Sequence, residues 1–149
     1  MGAFSQRTLY LKTQNTLEAI MTEQNIIQLF QQKRQWEAEL SILRDCSDEL
    51  HDFSSAEQAM RFALLKRRLL LIDHWLNYLS PEEKTIVQLH LIQKKPWSYI
   101  VNQMEHESPG SFPCDERTLQ RLQARAIHNI CVLMNQSFGN RLDYLLESD

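Results

Sequence analysis

One run of residues restricts the fold more than any other. Phe62, Leu65, Leu69, Ile72, Leu76 and Leu79 recur at alternating three- and four-residue steps. That is a heptad seam, and its period excludes a strand, in which apolar side chains recur at every second residue. The spacing predicts a helix from Ala56 to Leu79, opened by a capping box of Ser54 with Glu57. A seam of this kind has to be buried against another helix. The break at Asp52–Ser55 is short, so the expected partner is the preceding Trp36–Leu50 segment, running antiparallel. Leu70, Leu71 and Trp75 widen the apolar face, which implies contact with more than one neighbour.

Upstream, Met1 to Lys12 carries no clear period, and a helical pattern begins at Thr13. Leu17, Ile20, Met21, Ile27 and Phe30 mark one face; Trp36, Leu40, Leu43 and Leu50 continue it after a slip in phase near Lys33 and Arg34. Either two helices meet there or one long helix carries a stutter. Arg61, Lys66, Arg67 and Arg68 form a basic cluster, read as the wet face of the heptad helix and expected to pair with acids such as Glu49 or Asp52.

Beyond Leu79 three further helices are expected. Ser80 as N-cap, Pro81 at the first helical position and Glu83 completing a capping box open the first. The second is short. Pro96 fits its first turn, and Trp97, Ile100, Val101 and Met104 form its apolar stripe. Glu105–Cys114, with Pro109, Gly110 and Pro113, reads as an exposed, irregular connection. The third helix starts at Asp115, an N-cap carboxylate, with Glu116 at the positive end of the helix dipole. Leu119, Leu122, Ala126, Ile130 and Leu133 form its inward stripe, and Gly139 is a candidate C-cap before a Leu142, Leu145 and Leu146 tail.

Another side of that third helix carries Arg117, Gln120, Arg121, Ala124 and Arg125, with no acid after Glu116. Arg and Gln are the side chains whose forked donors suit guanine and adenine edges, and a small Ala124 lets the helix lie close to a surface. A short amphipathic helix followed by a basic-faced one is the helix-turn-helix arrangement. Lys94, Lys95, Ser98 and Tyr99, near the start of the short helix, are candidate phosphate contacts.

The Leu79–Glu83 opening, Trp97 with Ile100, and the run Leu122-Gln123-Ala124-Arg125-Ala126-Ile127 carry a resemblance. This half of the chain resembles region four of bacterial sigma factors, and more closely the sigma-like regulators of the ArpU type found in phages and prophages of Gram-positive bacteria. The resemblance implies that the last helix enters the DNA major groove, with Arg117, Thr118, Gln120, Arg121 and Arg125 in contact with DNA. It also implies a surface for RNA polymerase. The expected fold is all-α: an N-terminal helical hairpin over residues 1–78, with a homodimer through its wide face as one expectation, and a C-terminal three-helix, sigma region-four-like helix-turn-helix domain with a tail over residues 79–149.

The 149-residue chain has a formal net charge of −3, so it is not generically basic. Acids outnumber bases up to Ala59 and the balance reverses from Met60 to Met134, which focuses positive charge where the DNA-reading helix is expected. Cys46, Cys114 and Cys131 are odd in number and unrelated in spacing, which reads as a reduced cytoplasmic protein, nucleoid-associated if it binds DNA. No apolar run approaches membrane-spanning length. Five scattered His, no second Cys pair, no Gly-rich phosphate loop and no nucleophile–base grouping point away from an enzyme, a metal site or a cofactor. The leading expectation is a transcription regulator of phage or mobile-element genes that binds double-stranded DNA. A helical adaptor or inhibitor with a sigma-like fold that does not use DNA is the alternative, and a phage DNA-packaging subunit is a third.

Overall fold

The computed structural model describes residues 21–50, 56–107 and 115–137, all helical apart from short connections, with no strand among them. Five helices follow in order: α1 (Glu23–Leu50), α2 (Ala56–Tyr78), α3 (Pro81–Val87), α4 (Trp97–Glu107) and α5 (Glu116–Ser137). A π-helical turn, Gln88–Ile92, prolongs α3. The Ser54 cap, most of the Glu105–Cys114 connection, Gly139 and the Leu142–Leu146 tail lie outside the described residues.

α1 is a single helix, running unbroken through Lys33 and Arg34. Thr22 is its N-cap, and the helical pattern expected from Thr13 to Ile20 lies outside the described residues. Thr22 Oγ1 accepts from the Asn25 N–H at 3.1 Å, and Asn25 Oδ1 accepts from the Thr22 N–H at 2.9 Å. This is a capping box with Asn in the place usually held by Glu or Gln, so two otherwise orphaned donors are satisfied at the helix start.

α1 and α2 pack side by side. Glu39 meets Arg61, Trp36 lies beneath Arg68, and Phe30 meets Trp75 edge-on at 5.5 Å between ring centroids. One number falls as the other rises, so the two helices run in opposite senses. The buried stripe of α2 is rotated from the heptad reading: Leu65, Arg68, Ile72, Trp75, Leu76 and Leu79 are buried, while Phe62 and Leu69 are half-buried and Leu70 is exposed. Arg68 is therefore not on the wet face. It is 3% exposed, and its guanidinium lies 4.8 Å from the centre of the Trp36 ring, where the π face attracts the cation. Arg61 forms an ion pair with Glu39, its Nε and one terminal nitrogen donating to the two carboxylate oxygens at 2.7 and 2.9 Å, while the Glu49 and Asp52 side chains lie outside the described residues.

The main core draws on α1, α2, the π turn and the second half of α5, through Phe30, Trp36, Leu65, Ile72, Trp75, Leu91, Ile127 and Ile130 among others. A carboxamide clasp closes it. Asn135 Oδ1 accepts from the Met21 N–H at 2.9 Å while Asn135 Nδ2 donates to the Met21 carbonyl at 3.0 Å, and the Cys131 thiol donates to that same carbonyl at 3.2 Å. A second, smaller core joins Ile86 of α3, Ile100 and Met104 of α4, and Leu119 of α5.

The π turn reconciles the two cores. Ile86 and Val87 are buried, and so are Leu91 and Ile92 five residues on. In an α-helix a five-residue step would rotate the second pair well away from the first. Widening the turn to i→i+5 hydrogen bonds, of which Gln93 N–H to the Gln88 carbonyl at 2.9 Å is the last, brings both pairs inward.

Candidate nucleic-acid interface

α5 begins as its sequence predicts. Asp115 is the N-cap, its carboxylate accepting from the Thr118 N–H at 2.7 Å. That backbone bond, helped by the Thr118 hydroxyl and by the charges of Arg121 and Arg117, holds the Asp115 carboxyl below its ordinary value of 3.8. Thr118 is half-buried and committed to this cap. Gln120 Nε2 donates to Glu116 at 2.8 Å, which ties its terminal carboxamide along the helix.

The buried and exposed sides of α5 separate cleanly. Leu119, Ala126, Ile127, Ile130 and Met134 are buried. Leu122 and Leu133, expected inside, are half-buried at the edge of that stripe. Arg117, Gln120, Arg121, Ala124 and Arg125 are all exposed. Arg117, Arg121 and Arg125 follow at i, i+4 and i+8, so they form one row, with Gln120 and Ala124 in the row beside it. Three guanidiniums and a carboxamide on one accessible face can donate to phosphate oxygens and base edges.

The short helix behind this face is built differently from its sequence reading at one end. α4 starts at Trp97, and Pro96 sits just before it, its carbonyl accepting from the Tyr99 and Ile100 N–H groups at 3.1 and 3.2 Å. Lys94 and Lys95 therefore lie in the connecting turn. Lys94 has φ 60°, the left-handed conformation that usually ends a helix at Gly, and the following Lys95 N–H returns to the Leu89 carbonyl at 2.8 Å. Lys94 is thereby pointed into solvent by the backbone itself. Lys95 is half-buried, its ammonium 5.0 Å from the centre of the Tyr99 ring. Ser98 and Tyr99 are exposed. At its far end α4 continues through Glu105, His106 and Glu107, so those three residues belong to the helix and not to the connection after it.

His90 and Gln123, to which the sequence assigns no positioning role, tie the helices together. His90 stacks on Trp97 at 4.0 Å between ring centroids, and its Nδ1 is 2.8 Å from Gln123 Oε1. The π turn, α4 and α5 are thus tied through one imidazole. Trp97 is half-buried against the smaller core, where a core role was expected; Trp75 is fully inside the larger one. The signal that would have found His90 is its place between buried Ile86/Val87 and Leu91/Ile92, visible only once the wider turn is known.

Among the described residues there is no group of three His, Cys, Asp or Glu side chains able to hold a metal ion. None of the described helices is long and apolar enough to cross a membrane. Compared with protein-family models, curated proteins and solved structures, the chain gives no match.

Proposed function

We propose that this protein is a DNA-binding transcription regulator whose α5 reads the major groove. The observation that carries the reading is the exposed row Arg117, Arg121 and Arg125, flanked by Gln120 and Ala124, on a helix whose opposite side is anchored in two cores. A reading helix has to be rigid, solvent-facing and free of acids on its contact side, and α5 meets all three conditions after Glu116. Gln120 and Arg121 are assigned to base edges, and Arg117, Arg125, Lys94 and Lys95 to phosphates, with Ser98 and Tyr99 as neutral backbone contacts. On this reading α1 and α2 form the N-terminal hairpin, and α3 to α5 form a sigma region-four-like helix-turn-helix. The resemblance to ArpU-type regulators extends the proposal to phage or mobile-element promoters and to contact with RNA polymerase.

A second reading has its own support. Ile42, Met60 and Leu70 are large apolar side chains left exposed on α1 and α2, at 63, 71 and 58%. Such side chains suit a protein partner or a second copy, as an adaptor or a dimer would need. The deciding experiment is retention of fragmented genomic DNA by the full chain. Enriched fragments whose binding is lost in an Arg117→Ala/Gln120→Ala/Arg121→Ala variant of unchanged thermal stability support DNA reading. Unchanged retention in that folded variant removes α5 as the reader and gives the lead to the interaction protein.

A further inference from the structure

A feature outside α5 is unused by this reading. Where α1 passes the π turn, Lys33 and Arg34 of α1 and Lys95 of the turn before α4 line an open hollow of about 550 Å³ with Gln88, Gln93 and Ile92. Among the described residues the lining contains three cations, two carboxamides and no carboxylate. Lys33 is held by Glu37 one helical turn on, at 2.5 Å, which fixes its ammonium and offsets its charge. Arg34 is exposed, and neither it nor Lys95 has a carboxylate partner among the described residues. Lys95 is further restrained by the Tyr99 ring and by the backbone bond to Leu89 that follows the left-handed Lys94. The cations come from positions about sixty residues apart in the chain, so only the fold assembles them.

We infer that this hollow is a phosphodiester-binding site for the DNA backbone, which extends the DNA footprint from the helix-turn-helix onto α1. The assignment rests on the DNA-binding reading above. Its chemistry is that of a phosphate seat: a planar guanidinium donates in pairs to two phosphate oxygens, an ammonium supplies a point charge, and neutral carboxamides donate without adding an acid that would repel the ligand. Apolar contact is confined to Ile92, which disfavours an apolar peptide as the occupant. Lys95 belongs both to this hollow and to the turn that leads into α4, so a bound strand that reaches one reaches the other.

The test compares the full chain with Arg34→Ala, with Arg34→Ala/Lys95→Ala, with Arg34→Lys, and with Arg117→Ala/Arg121→Ala, by fluorescence anisotropy on a random-sequence duplex over a range of salt concentrations. Non-specific binding is used because phosphate contacts dominate it. Far-UV dichroism and thermal melts confirm that each variant is folded. Arg34→Ala is expected to flatten the salt slope by about one unit, and the double variant by about two, while Arg34→Lys keeps most of the slope. A wild-type slope in folded Arg34→Ala/Lys95→Ala, alongside a reduced slope in Arg117→Ala/Arg121→Ala, overturns the hollow and leaves the α5 reading standing. Wild-type protein that binds no duplex at all overturns both. Displacement of duplex by polyglutamate from the wild type and the α5 variant but not from the Arg34/Lys95 variant, with the wild-type slope kept in the Arg34/Lys95 variant and a reduced slope in the α5 variant, assigns the hollow to an acidic protein segment and overturns the phosphodiester site.

Discussion

Raising salt is the perturbation that tests the proposed interface most directly, because its effect is set by the number of cations that meet phosphate. On the proposed reading four cations take that role: Lys94 and Lys95 from the turn before α4, and Arg117 and Arg125 from α5. Lys94, Arg117 and Arg125 are exposed, and Lys95 is half-buried with its ammonium over Tyr99. Each phosphate neutralised releases counterions, so four contacts at about 0.9 each give a slope of about −3.6 in log affinity against log salt. Between about 50 and 200 mM salt that slope lowers affinity by about 150-fold. Arg125→Ala should bring the slope to about −2.7 and weaken all duplex sequences alike. Titration of a labelled duplex at five salt concentrations, followed by anisotropy, reads the slope without knowledge of the operator. Engagement of the hollow beside α1 steepens the wild-type slope by about one further unit but leaves the decrement from Arg125→Ala unchanged. A slope near zero, or one that Arg125→Ala does not alter, refutes the assignment of the α5 row to phosphate.

Three further outcomes follow from the same geometry. Arg121→Ala should cost about 1–3 kcal/mol on a preferred fragment and relax selectivity at one base position, read by competition among variant fragments. Leu65→Ala removes a fully buried side chain from the main core and should destabilise by about 2–5 kcal/mol in urea unfolding, whereas Leu70→Ala, at an exposed position of the same helix, should stay within about 0.5 kcal/mol. Asp115 has a folded-state pKa below its unfolded one, so its contribution to stability is present above the ordinary value of 3.8 and is lost as pH falls through the folded value. The gap in thermal stability between wild type and Asp115→Ala should therefore be present at neutral pH and shrink as pH falls past the ordinary value of 3.8 toward the lower folded value, and a gap that widens as pH falls over that range contradicts the cap.

Legibility in the sequence followed the range of the interaction. The Ser80 and Asp115 caps were readable because donor and acceptor lie three residues apart: Ser80 Oγ accepts from the Glu83 N–H at 3.3 Å, and Glu83 returns to the Ser80 N–H at 3.1 Å. The Thr22 cap escaped because Asn25 performs the role usually given to Glu or Gln. The heptad seam located α2, yet its rotation was hidden, since Arg68 is polar by type and becomes a core residue only through the Trp36 face. The slip in phase at Lys33 and Arg34 was legible as an interruption of an apolar stripe. What was not legible is that both residues line a hollow formed with the π turn, far along the chain. The exposed face of α5 was named residue by residue from spacing alone. What spacing does not reveal is the engagement of Thr118 with its own cap, or the tie from His90 to Gln123 that sets how α5 sits.

The Asn135 clasp on Met21 has a consequence for synthesis. It joins groups 114 residues apart, and the core it closes is completed by Ile127, Ile130 and Met134. At ribosomal speed the first partner waits about ten seconds for the second. During that interval α1 and α2 can pair, but the apolar surface around Met21 and Ile26 stays uncovered on the nascent chain. A ribosome-stalled chain ending before α5 should bind a general chaperone at that surface and release it once Asn135 has emerged, so α5 acts as the switch from a held intermediate to the finished fold.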